Sequence, residues 1–328
     1  MDANLDSTST SSVAFRKSSN SKSKQMTIEQ SHTGVGALFN PSMSAFIERS
    51  LSCLDYLAVI PDRGWIDHGM GSSRRFSSSR FQMLPPAEAL LEQVARVRPV
   101  VLHGIGLSIC SAEFFDEEYA CNLIDLAQRF NSPWISDHLS FSRVGTGHEL
   151  NAAITLPVPY DREVLDLLIP RVQFFKQRLN RPFLLENNVY YFHYPGQEFT
   201  EEEFLNELCE EAGSGVLLDL HNLYTNSVNH AFSATDYLSN LAMQNVTEIH
   251  IAGGMPMMGF HTDSHTGPVL EPVWALLEHA IPLATNLRGV TFEFHESSYS
   301  ILGESGILEQ IGRARSLVNA HSNREVSV

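Results

Sequence analysis

Basic residues are scarce in this chain: 22 lysines and arginines stand against 38 aspartates and glutamates, a formal charge of −16 over 328 residues. Polyanions are bound by releasing their counterions to cationic side chains, so this balance argues against a nucleic-acid partner. Long hydrophobic runs are also missing. No stretch approaches the roughly 20 apolar residues that span a bilayer, so no membrane segment is expected. Cysteine is rare: Cys53, Cys110, Cys121 and Cys209 form no CxxC pair. Neither a disulfide framework nor a structural zinc knot is expected, and all four read as small buried hydrophobes in a reducing compartment. The opening residues, MDANLDSTSTSS, lack a basic segment followed by an apolar one, so the expected location is cytoplasmic. What the chain does have is 43% hydrophobic residues, enough for a substantial core, and 14 histidines.

Residues 1–32 are rich in Ser, Thr, Asn and Lys and are expected to form a disordered arm. A single domain is expected over 33–318, followed by a frayed tail, 319–328. Within the domain, eight short apolar runs read as buried parallel strands: Gly34–Phe39, Leu54–Ile60, Pro99–Gly104, Pro133–Ser140, Pro182–Asn187, Gly215–Asn222, Val246–Gly253 and Gly289–Glu296. Helical periodicity fills many of the gaps, at Pro85–Val97, Glu113–Phe130, Asp161–Leu179, Thr200–Ala212, Pro272–Ala284 and Ser305–Leu317. Thr200 with Glu203 is a capping-box signature, with Phe199 as its staple. Asp62–Met83 shows neither period and reads as a long irregular loop. Eight strands alternating with helices fit a single (β/α)8 barrel. A doubly wound sheet is the alternative, but no G-x-G-x-x-G follows the first strand.

The polar residues cluster at the strand ends. His103 closes the third strand, Asp137 and His138 the fourth, Glu186 and Asn187 the fifth, and Asp219, His221 and Asn222 the sixth. His250 lies on the seventh strand, Asp263 and His265 follow it, and Glu293, His295 and Glu296 close the eighth. In a barrel these ends share one mouth. A lone strand-end histidine is more often hydrogen-bonded than metal-bound, and Asp219 or Asp137 alone would serve as a helix cap. Repetition at six successive strands points instead to divalent cations, because several buried carboxylates cannot share a pocket uncompensated. Imidazole and carboxylate without thiolate suit iron, zinc or manganese, and more than four candidates suggest more than one ion. The remaining histidines read as solvated or structural: His32 in the arm, His148 in a turn, His279 on a helix, His321 in the tail, and His193, His230 and His261 in loops near the mouth.

Seven ordered motifs resemble the DUF692 family, the multinuclear non-haem iron-dependent oxidative enzymes of the methanobactin-biosynthesis type. They are LHGIGLS (Leu102–Ser108), SDHLS (Ser136–Ser140), LLEN (Leu184–Asn187), LLDLHN (Leu217–Asn222), EIHIAG (Glu248–Gly253), DSH (Asp263–His265) and FEFHE (Phe292–Glu296). The match runs in register from about Gly34 to Arg315. The resemblance implies a barrel holding two or three irons, with His103, Glu186, Asp219, His250, Asp263, His265 and Glu293 as ligands. His221 stands where the family has Asn or His. Characterised members use O2 and mixed-valence iron to oxidise cysteines of ribosomally made peptides, usually with a partner protein that presents the peptide. One departure is clear. The second strand of better-known members ends in a V-H-P-E-N-type motif whose histidine binds iron, whereas here Ile60 takes that place in Val59–Arg63. This points to two metals, and His68 in the adjacent loop reads as a surface histidine.

The leading expectation is therefore an iron-dependent oxidoreductase that uses O2 on a peptide cysteine or a small thiol. Glu186 would bridge two ions. One ferrous ion would activate O2 while a ferric neighbour acidifies the substrate thiol. Asp137, His138 and Asn187 are assigned to orienting the substrate or the ligands. Arg63, Arg74 and Arg75 either recognise a substrate carboxylate or form a solvated basic patch. Two rivals stay open: a metal-dependent hydrolase or isomerase of the endonuclease IV and xylose isomerase type, and a non-catalytic peptide-binding scaffold.

Overall fold

A computed structural model describes residues 33–39, 43–70, 79–145 and 150–325. The arm expected over 1–32 lies outside these residues, as do Arg74, Arg75, His148 and the last three positions. Eight parallel strands close into a barrel: β1 (Gly34–Phe39), β2 (Tyr56–Val59), β3 (Val100–His103), β4 (Ile135–His138), β5 (Phe183–Glu186), β6 (Gly215–Asp219), β7 (Val246–Ala252) and β8 (Gly289–Glu293). Their spatial order is their chain order, and β8 returns to pair with β1. Every expected strand is present. Each is apolar and flanked by turn-forming residues because it is covered on both faces, by the barrel interior and by the helices outside.

The helices are α1 (Ser44–Ser50), α2 (Pro85–Ala95), α3 (Glu117–Arg129), α4 (Arg162–Arg178), α5 (Glu201–Ala212), α6 (Leu220–His230), α7 (Ala234–Asn240), α8 (Glu271–Ala280) and α9 (Ser297–Glu325), the last interrupted at Gly303. Helix α5 has the expected capping box between Thr200 and Glu203, with the Phe199 and Phe204 rings 6.4 Å apart. Helix α9 continues to Glu325, well beyond Asn319, where fraying was expected. No helix among the described residues is long and apolar enough to cross a membrane.

The segment Asp62–Met83 departs from the sequence reading, and the expected strand Gly215–Asn222 stops at Asp219, where α6 begins. The ends of the loop Asp62–Met83 pair as a small antiparallel sheet, Trp65–Asp67 against Phe81–Met83. The sheet is pinned by Arg80, which donates to both carboxylate oxygens of Asp67 at 2.8 and 2.9 Å and to buried Asp116 at 2.8 Å. A three-residue strand is too short to show alternation, so charge pairing rather than pattern defines it.

Within the barrel, Leu38, Tyr56, Ala58, Ile60, Val101, Trp134, Leu184 and Leu217 form one apolar cluster, separate from the shell beneath the helices. Tyr56 crosses the base of this interior. A Cβ on Gly36 would collide with its ring, so glycine is required there by close approach.

Candidate metal centre

Above this apolar floor the inward positions of six strands change character. His103, His138, Glu186, Asp219, His250 and Glu293 occupy the last or near-last inward positions of β3 to β8. All are buried except His138, which is partly open. Their donor atoms fall into two groups compact enough to hold an ion, His103–His138–Glu186 and Glu186–Asp219–His250–Glu293, within each of which the atoms lie within 4.8 Å of one another. Glu186 belongs to both. Its Oε2 stands 3.3 Å from His103 Nε2 and 3.2 Å from His138 Nε2, while Oε1 stands 3.6 Å from His250 Nδ1.

Neighbouring groups turn these side chains toward the pocket. The Ser136 hydroxyl lies 2.9 Å from His103 Nδ1, which leaves Nε2 facing Glu186. Asp219 serves twice. Its Oδ1 caps α6 by accepting the Asn222 N–H at 2.6 Å, while buried Oδ2 accepts no hydrogen bond. The cap and the ligand roles are therefore compatible, one per oxygen. Asn187 ties β5 to this turn, donating to the Asp219 carbonyl at 3.0 Å and accepting the Asp219 N–H at 2.8 Å. It holds a candidate ligand in place.

The orphaned atoms fit a cation. Buried Glu186 Oε2 and Asp219 Oδ2 have no hydrogen-bond partner, nor does His138 Nδ1. Unpaired buried polar atoms each cost about 1–3 kcal/mol, and this many in one place marks a site that expects another component. The electrostatics agree. Burial pushes the Glu186 carboxyl well above its ordinary value and that of Asp219 up to about 7. Burial, reinforced by the other imidazoles, drives His103 well below its usual range. Burial also opposes charge on His250, but hydrogen bonds to Glu248 and Glu293 prevail and raise it. Burial thus favours protons on some of these carboxylates and imidazolium beside others, and a divalent ion would take the place of those protons.

The other expected residues sit around this core. His265 Nδ1 is 3.3 Å from Glu293 Oε1, and its Nε2 is 2.5 Å from Asp263 Oδ1, at the more open rim. His265 has φ 45°, a left-handed conformation that costs a non-glycine residue about 1–3 kcal/mol and persists where the surroundings hold it. Here the Ser298 hydroxyl and the His295 N–H both donate to its carbonyl. His221 is buried beside Gly254, with Nε2 3.2 Å from the Thr262 carbonyl, outside both compact groups. His295 and Glu296 are exposed and lie beside each other. His230 is not in a loop; it ends α6 with Nε2 2.8 Å from the Tyr190 carbonyl.

Two placements differ from a shared mouth. Asp137 precedes inward His138, so strand alternation turns it outward. It accepts the His138 N–H and faces Gly104, where a Cβ would meet Oδ2. Burial, reinforced by the nearby Asp62 carboxylate that accepts from Tyr119 on α3, pushes its carboxyl well above the ordinary value. Conversely, Glu248 was not singled out, yet it is 1% exposed and lies directly under the centre. Trp134 Nε1–H donates to its Oε2 and the Thr291 hydroxyl to its Oε1, both at 2.6 Å, and Oε1 is 3.4 Å from His250 Nε2. Its position was readable: in VTEIHIA, Glu248 and His250 are two apart and share a face. Ile60 is buried in the apolar cluster with Leu38, Ala58 and Val101, and His68 is exposed, 3.0 Å from Gln82 Oε1.

The fold is shared with solved structures at low identity. D-psicose 3-epimerase from Clostridium cellulolyticum H10 superposes with a TM-score of 0.51 at 10% identity, covering 89% of this chain and 99% of that one. A zinc-bound IOLI protein gives 0.53 at 12% identity, covering 88% and 99%. Closer in sequence are UPF0276 proteins. That of Rhizorhabdus wittichii is 34% identical over 239 residues, 72% of this chain and 82% of its own length. That of Shewanella sediminis is 29% identical over 284 residues, 86% and 93% respectively. A family model described as RiPP precursor modification enzyme MbnB/TglH/ChrH matches residues 76–304. With six inward ligand-type residues inside that span, the chain belongs to the MbnB/TglH/ChrH family of RiPP precursor modification enzymes.

Proposed function

We propose that the protein is a dinuclear iron enzyme that oxidises a cysteine of a ribosomally made precursor peptide, using O2. The observation that carries this reading is Glu186, one carboxylate with an oxygen turned to each of two donor groups. In such a site His103 and His138 would hold one ion with Glu186, and Asp219, His250 and Glu293 the other. His265 and Asp263 stand next to the second set, at the open rim. Bound iron would supply O2 activation and acidification of a substrate thiol. Family membership favours a peptide over a sugar or phosphate ester.

The chain's own contributions are positional. Ser136 and Glu248 fix the faces that His103 and His250 present, and Asn187 fixes the turn that carries Asp219. The apolar wall of Leu38, Ala58 and Ile60 keeps water from one side of the pocket, which strengthens every charge interaction within it. The test uses iron-loaded protein with a short cysteine-containing precursor peptide, with and without O2, followed by mass spectrometry. A mass change at cysteine that needs both iron and O2 is expected. Turnover by the zinc form without O2 would instead support a hydrolase or isomerase.

A further inference from the structure

A second cavity, of about 380 Å³, lies outside the metal centre, beside the N-terminal ends of α5 and α7 and the segment 190–199 that follows β5. Its walls are aromatic: Tyr160, Tyr190, Phe199, Phe232 and Tyr237. Among them is a buried carboxylate, Glu201, which is 4% exposed. The Tyr160 hydroxyl donates to Glu201 Oε1 at 2.7 Å and buried Oε2 faces the Tyr237 hydroxyl, so no cation partners this carboxylate. No lysine or arginine is among the described residues that line the cavity, and Glu202 and Asp236 add negative charge.

A carboxylate in the first turn of a helix is favourable, but that need is already met here. Thr200 and Glu203 cap α5, and Glu202 and Glu203 supply first-turn charge at less buried positions. Two tyrosine hydroxyls compensate a buried carboxylate only in part, and keeping it charged is costly unless a cation arrives. Aromatic faces around a carboxylate select a cation on an apolar stem, through the ring quadrupoles and a charge-assisted hydrogen bond. The volume suits a group of amino-acid size.

We propose that this cavity binds an organic cation, the ammonium or guanidinium end of a lysine or arginine side chain, seated on Glu201 between the aromatic rings. The site stands independently of the metal reading. If the substrate is the peptide proposed above, the cavity anchors one of its basic residues, since the segment after β5 connects Glu186 to this wall.

The test measures binding of N-acetyl-lysine methylamide, N-acetyl-arginine methylamide and N-acetyl-norleucine methylamide to the metal-loaded full chain, by calorimetry or NMR titration. At least one cationic amide should bind about tenfold tighter than norleucine, and the better of the two identifies the head group. Glu201→Gln should erase that preference while leaving metal content unchanged. Equal binding of all three, no binding of any, or a preference that survives in Glu201→Gln would overturn the proposal. The norleucine comparison uses the unaltered chain, so the proposal stays testable even if the variant does not fold. Metal content reports on the centre separately, so failure here is distinguishable from failure of the iron reading.

Discussion

The two sides of the barrel mouth are built from the same kind of element and differ completely in chemistry. On β1 and β2 the inward positions near the top carry Leu38, Ala58 and, just past the strand, Ile60, packed as hydrocarbon. On β3 to β8 the equivalent positions carry His103, His138, Glu186, Asp219, His250 and Glu293. The fold therefore does not demand charge at these positions, since two strands do without it. Six successive strands place ionisable groups where burial penalises them, a penalty that a bound cation would offset. The apolar side lowers the local dielectric and sharpens the electrostatics of the polar side.

The sharpest way to break this comparison is to remove the residue common to both donor groups. Glu186→Gln should lower bound iron from about two equivalents to well under one, measured by elemental analysis of anaerobically purified protein, whereas Ile60→Ala should leave it unchanged. A smaller effect is expected beneath the centre. Glu248→Gln keeps the shape but weakens the hold on His250 Nε2, and metal affinity should fall about 10- to 100-fold in a chelator competition. Acidity should act in the same direction. Asp219 is pushed up to about 7 by burial and must lose its proton to bind an ion, so affinity should rise with pH through that value and fall below it; titrations at pH 6 and 8 read this directly. On the apolar side, Ile60→His buries an unpaired imidazole among Leu38, Ala58 and Val101. It should cost the metal-free protein about 1–3 kcal/mol in urea unfolding. His68→Ala, on the surface hairpin, should change none of these quantities.

Much of this architecture was readable from residues alone. The barrel strands are apolar runs because both of their faces are covered, and the histidine and carboxylate residues stand out at their ends for the same reason. Less legible were features set by direction or by distant pairing. Asp137 and His138 are adjacent, yet alternation sends one outward toward α3 and the other inward. Glu248 looks like a mid-strand charge until Trp134 and Thr291, 114 and 43 residues away, are seen to satisfy it. Helix α6, LHNLYTNSVNH, is rich in polar residues because Asn222 and Asn226 bond to the β5 loop, so its buried face does not read as hydrophobic. The hairpin around Arg80 is held by ion pairs that leave no periodic trace.

Anomalous diffraction from crystals of the iron-loaded protein tests the central claim most directly. Two peaks are predicted, one among His103, His138 and Glu186 and one among Glu186, Asp219, His250 and Glu293, with an oxygen of Glu186 on each. Peaks elsewhere in the molecule, or a mouth in which Glu186 contacts no metal, would contradict it.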